Sequence, residues 1–197
     1  MTMLDRVDNK LAGFVLKGQM ADVAIERVQK VPRQKGEITF DDIAARVGMK
    51  DLDEDEVEAA RKMSAVYIVI ASFENTVRDL ISTRMLEVKK DNWWEQCVSA
   101  EIQKKAQRKM DEEKKIRWHK SRGLSPIYFT EIGDLVTIIQ HNWDVFVDII
   151  QDIEWLRQII RSIERSRNVI MHSGQLSLDD IERVGVNIRD YIRQVGA

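Results

Sequence analysis

Apolar residues recur every three or four positions along most of the chain, with polar residues in the gaps. Tyr67, Ile70, Val77 and Ile81 keep one such stripe, which predicts a long helix running to about Lys90. Asp53 with Glu56 supplies its capping box, and the acidic cluster around them suits a helix N-terminus. Trp94, Val98, Ile102, Ala106 and Met110 form the next stripe, on a helix opened by Asp91 or Asn92. "LSPIY" (Leu124 to Tyr128) is expected to be a loop. A further helix is expected from about Thr130 to Gln140, interrupted or bent by "HNW" (His141 to Trp143). Ile153, Leu156, Ile160, Ile163, Arg167 and Ile170 then mark a helix starting near Asp152, with Gly174 as its stop. Ser177 with Asp180 caps a last helix through about Arg193. Upstream, Thr39 with Asp42 boxes a short helix over Phe40 to Val47. A weak helical period in residues 1–30 precedes it and is broken by "VPRQKGE".

No alternating strand pattern of any length interrupts these stripes. With only 9 Gly and 2 Pro, few breakers divide the helices. The expected class is all-α: a bundle of roughly four or five helices over residues 56–197, preceded by an N-terminal helical extension over residues 1–55. The longest apolar run, Ala65 to Ala71, is far too short to span a membrane. The charged N-terminus lacks the apolar core of a signal peptide. The single cysteine, Cys97, rules out an internal disulfide framework. These features predict a cytoplasmic protein with no membrane partner. A net charge of −2 argues against a nonspecific nucleic-acid coat, so any nucleic acid has to meet a local patch.

Several motifs fail on their own terms. "DLDEDEVE" imitates the start of a calcium loop, but Glu56 stands where glycine is needed and Lys62 where the last glutamate is needed. His119, His141 and His172 have no ligand partner at metal spacing, and no glycine-rich phosphate loop occurs. No metal and no cofactor are expected. Cys97 and the pair Trp93–Trp94 read as packing residues. The run from Lys104 to Arg122 carries nine Lys or Arg with Trp118 and His119 among them. Asp111, Glu112 and Glu113 interrupt it, and a solvated helix face is the plainer reading than an RNA contact.

Two charged residues lie on apolar stripes: Glu74 on the long helix and Arg167 on the late one. An unpaired buried charge costs too much to be casual. The plain reading is an ion pair between them, with Arg78 able to join Glu74 four residues on. The sharper reading is a polar cleft between two helices. Asn168 and His172 share a face one turn apart, beside Arg167. A histidine titrates near neutral pH and moves protons, while a guanidinium binds phosphate and its developing charge. That combination suits phosphodiester chemistry.

"RNVIMH" in a late helix of an all-α domain resembles the HEPN superfamily signature, an arginine followed after four to six residues by a histidine. "FENTVRDLISTRMLEVKKDNWW" is similar to the first core helix of one HEPN branch. "LSPIYFTEIGDLVTIIQHNWDVF" resembles that branch's connecting segment. This branch occurs at the C-terminus of a eukaryotic RNA-surveillance endonuclease and in bacterial defence proteins. The resemblance covers roughly Ala60 to Ala197. It implies a metal-independent endoribonuclease acting as a homodimer on an RNA substrate. His172 would transfer protons and Arg167 would contact phosphate, with Asn168, Glu74, Asn75 and Arg78 supporting the site. A role as toxin or defence effector, with an inhibitory or regulatory protein partner, belongs to the same expectation. The alternative is a non-catalytic HEPN adaptor that mediates dimerisation or nucleotide or RNA binding. Some HEPN toxins carry a modifiable tyrosine two residues after the histidine; Gly174 stands there in this chain.

Overall fold

A computed structural model describes residues 38–196. The weak helical period of residues 1–30 and the "VPRQKGE" break lie outside the described residues. The chain divides into two units, one ending at Leu52 and one beginning at Asp53. In the first, α1 (Phe40–Arg46) opens on the capping box foreseen in the sequence: the Thr39 hydroxyl accepts from the Asp42 amide, and Asp42 accepts from the Thr39 amide. A 3-10 turn, Met49–Asp51, follows Gly48.

The second unit is a helical bundle, and the described residues contain no strand. Its first element, α2 (Glu54–Lys89), is a single helix of 36 residues, roughly 54 Å long at the ordinary rise. Asp53 caps it by accepting from the amides of Asp55 and Glu56. The packed stripe of α2 is Met63, Val66, Ile70, Phe73, Val77, Ile81 and Met85. Tyr67, expected on it, is exposed. The segment that covers that side of α2 is bonded at Arg78, about three turns further on.

The helix expected from Asn92 onward is two helices, α3 (Trp93–Cys97) and α4 (Ala100–Lys114). Val98 is extended, and the Ser99 hydroxyl starts α4 by accepting from the Ile102 amide. A broken helix leaves carbonyls without partners. Gln103 meets that cost, donating to the carbonyls of Trp94, Glu95 and Val98 at 3.1, 3.1 and 2.8 Å. The expected loop at "LSPIY" contains a 3-10 turn, Pro126–Phe129, which Pro126 opens with its fixed φ.

Then come α5 (Ile132–His141), a break at Asn142, and the short α6 (Trp143–Phe146). Asn142 stabilises the break by donating to the carbonyls of Cys97 and Ile138. Asp152 caps α7 (Ile153–Met171), and Ser177 caps α8 (Leu178–Val195). α2 packs against α5, α7 and α8, while α7 lies between α5 and α8. Their contact is apolar: Ile70, Val77 and Ile81 meet Leu135, Ile139, Leu156, Ile160, Ile163 and Tyr191 in one buried core. Trp93 and Trp94 are both buried in it, as expected of packing residues. No helix among the described residues is long and apolar enough to cross a membrane.

Candidate active site

The packing of α2 against α7 leaves one polar seam in the core, and Glu74 stands in it. Its Oε1 accepts from Nη2 of Arg78, one turn on along α2. Its Oε2 lies 3.4 Å from Nε of Arg167 on α7. One buried carboxylate thus faces two guanidinium groups on two helices.

The two arginines differ sharply. Arg78 is buried and fully engaged. It donates from Nη1 to the Asn75 side chain at 3.2 Å, from Nε to the Ile127 carbonyl and from Nη2 to the Thr130 carbonyl, each at 3.3 Å. Those carbonyls belong to the 3-10 turn and the residue after it; the Ile127 carbonyl also accepts from the Thr130 amide and hydroxyl. Arg78 therefore anchors the connecting segment to α2. Arg167 keeps 38% of its side-chain surface, against 9% for Glu74. It makes no hydrogen bond among the described residues. Its Nε faces Glu74 in the ion pair, while the four N–H donors on its two Nη atoms make no hydrogen bond among the described residues.

The expectation of a buried Arg167–Glu74 pair thus needs correcting. The pair exists, but Arg167 sits at the mouth of the seam. Arg78 does join Glu74 four residues on, and that pair is the buried one.

Glu131 joins the site from the N-terminus of α5 and was not singled out in the sequence. The hydrogen bond from Lys109, 3.1 Å away, holds its carboxyl below the ordinary value, with Lys105 and Arg167 adding to the effect. The one local signal for Glu131 is its capping box with Asp134, which fixes where α5 begins. Its position beside α4 and α7 is a long-range fact that spacing along the chain does not carry.

Asn168 and His172 lie at the end of α7, both exposed, and their side chains make no hydrogen bond among the described residues. They are not joined to the Glu74 cluster; Arg167 links that cluster to the helix end. His172 is the C-cap of α7. The Ser173 amide donates to the Ile170 carbonyl at 3.0 Å, and the Gly174 amide to the Val169 carbonyl at 2.8 Å. These are the two bonds of a Schellman stop. The left-handed residue in it is Ser173, at φ 63, and not the expected Gly174. Gly174 is needed for closeness instead: a Cβ there would stand 2.7 Å from Val169 Cγ1 and 2.9 Å from its carbonyl oxygen. That also closes the position to a tyrosine in this backbone.

Exposed apolar side chains flank the seam. Met171 is one turn beyond Arg167 on the same face of α7, and Tyr67 about two turns before Glu74 on the same face of α2. Among the described residues, no group of three or more His, Cys, Asp or Glu is placed to hold a metal ion. A family model described as Swt1-like HEPN matches residues 69–196. No curated protein and no solved structure matches the chain.

Proposed function

The chain belongs to the Swt1-like HEPN family, and from that premise we propose that it is a metal-independent endoribonuclease with Arg167 and His172 as its catalytic residues. The observation that carries the reading is the half-exposed Arg167 guanidinium, oriented by Glu74 and free of hydrogen bonds. A planar fork of uncommitted donors matches the oxygens of a phosphate.

In the reaction, the ribose 2′-oxygen attacks the neighbouring phosphorus. The 2′-O–P bond forms, the P–O5′ bond breaks, and the products carry a 2′,3′-cyclic phosphate and a 5′-hydroxyl. His172 takes the proton from the 2′-hydroxyl, and the imidazolium so formed gives it to the leaving 5′-oxygen. Arg167 stabilises the charge that builds on the phosphoryl oxygens. Asn168, one turn before His172 on the same face, orients the substrate or the ring. Glu74, Asn75 and Arg78 are positioning residues that hold Arg167 and the segment behind it.

The working form is a homodimer in which two such helix ends face each other. Exposed Tyr67 and Met171 beside the seam support this, since a partner subunit would bury them. A role as toxin or defence effector, held in check by a protein partner, rests on the resemblance to the defence-associated branch. The adaptor reading has one observation in its favour: Arg167 is already paired with Glu74, which suits a brace. Induced expression of wild type and His172→Ala, followed by mapping of RNA 5′ ends, tests the choice. Endonucleolytic ends present only with wild type support the nuclease; identical end maps support the adaptor.

A further inference from the structure

Nine Lys and Arg lie between Lys104 and Arg122, and the structure divides them. Lys105, Arg108, Lys109, Lys114 and Arg122 are paired with Glu101, Glu112, Glu131, Asp111 and Glu113. Lys115, Arg117 and Lys120 have no carboxylate partner among the described residues, and they flank Trp118 along the chain. Lys104 is the one cation within α4 that likewise lacks such a partner among the described residues, so the unpaired charge gathers at and beyond the end of the helix.

The segment after the helix is folded back. Glu113, in the last turn of α4, accepts from the Ser121 hydroxyl at 3.0 Å, from the Arg122 amide at 3.2 Å and from the Arg122 side chain. The Arg122 guanidinium lies over the Phe129 ring, 5.2 Å from its centroid. Gly123 sits so close to the Tyr128 ring that a Cβ would meet it at 2.9 Å. With its base tied in this way, the segment presents Trp118, which is 86% exposed, edge-on to His119 at 5.7 Å. Among the described residues the indole makes no hydrogen bond, and leaving so large an apolar ring in water gains the protein no stability.

We propose that Lys115–Lys120 is a single-stranded RNA contact, in which a base stacks on Trp118 and Lys115, Arg117 and Lys120 hold the flanking phosphates. An aromatic face between unpaired cations is the arrangement that takes unpaired bases without reading their sequence. The site lies outside the Arg167–His172 region and goes beyond the cleavage reading, on which only the choice of RNA over an anionic membrane rests. It grips substrate away from the scissile bond.

The test uses the full chain carrying His172→Ala, so that binding is measured without cleavage. Fluorescence anisotropy follows a short labelled oligouridylate, its duplex with oligoadenylate, and phosphatidylcholine–phosphatidylserine vesicles. Trp118→Ala should weaken single-strand binding about tenfold, and Trp118→Phe should restore most of it. Duplex binding should change little, and circular dichroism should stay the same, as expected for an exposed side chain. Equal oligouridylate affinity in the parent and Trp118→Ala overturns the proposal. So does a loss confined to vesicles, which would identify a membrane contact. Because binding is the readout, an inactive Arg167–His172 site leaves this outcome legible. Cleavage with unchanged Trp118→Ala binding sinks this inference alone.

Discussion

Glu74 Oε2 stands 3.4 Å from Arg167 Nε, across the seam between α2 and α7. The same carboxylate serves Arg78 on its other oxygen. This relationship separates a structural arginine from an available one, and it makes the two distinguishable by stability alone. Arg78→Ala leaves the buried Glu74 carboxylate with only the half-exposed Arg167 and takes the side-chain donor from the Thr130 carbonyl, and should cost about 3–5 kcal/mol. Arg167→Ala removes a half-exposed partner and should cost less than about 1 kcal/mol. Urea denaturation of both variants checks the contrast. Equal losses would mean that Arg167 is a brace.

The stop of α7 governs where His172 is held. Ser173 carries φ 63, a conformation glycine adopts without strain. Ser173→Gly should therefore stabilise by up to about 1 kcal/mol. Gly174→Ala should destabilise by about 1–3 kcal/mol, because its Cβ meets the Val169 carbonyl. Thermal melts read both signs. A neutral Gly174→Ala would contradict the close approach.

Tyr191 is buried edge-on against Phe73, at 4.9 Å between ring centroids, and its hydroxyl has no hydrogen-bond partner among the described residues. Tyr191→Phe keeps the ring contact and removes an unsatisfied polar atom. It should be neutral or stabilising by about 1 kcal/mol. Burial also pushes the phenol well above its ordinary value of 10.0. A raised value in the folded state means that this contribution is complete below pH 10 and is lost as pH rises beyond it. The alkaline fall in stability should be shallower in Tyr191→Phe, as measured by denaturation at rising pH.

Glu131 gives the opposite limb. Lys109 foremost, then Lys105 and Arg167, hold its carboxyl below the ordinary 4.5. A lowered value means that the contribution is present above pH 4.5 and is lost as pH falls through the folded value. Because the group is exposed, its share is a few tenths of a kcal/mol at most, on the order of a surface pair. Glu131→Gln should flatten the acid limb slightly, and high salt should erase the difference.

The helices and their caps were largely legible in the sequence, because a cap is a local event. Thr39, Asp53, Asp152 and Ser177 each close on an amide two or three residues away. The break between α3 and α4 was not, because Gln103 stabilises it from the following helix. Tyr67 followed the spacing of a buried stripe but is exposed in the described fold. Glu74, Arg78 and Arg167 were found as a trio because charges on apolar stripes demand partners. Their unequal burial depended on how the segment Ile127–Thr130 crosses α2. Glu131 stayed hidden because its role comes only from α4, α5 and α7 meeting. The left-handed stop fell on Ser173, since Gly174 is needed for its missing side chain.

Whether Arg167 and His172 cleave RNA is tested by single-turnover cleavage of unstructured RNA by purified protein in EDTA. Wild type should produce fragments ending in 2′,3′-cyclic phosphate. Arg167→Ala and His172→Ala should be folded and should each lose at least about a hundredfold in rate. Cleavage that survives either substitution, or intact RNA with wild type alone and with a protein partner, would mean that Arg167 and His172 are not a nuclease site.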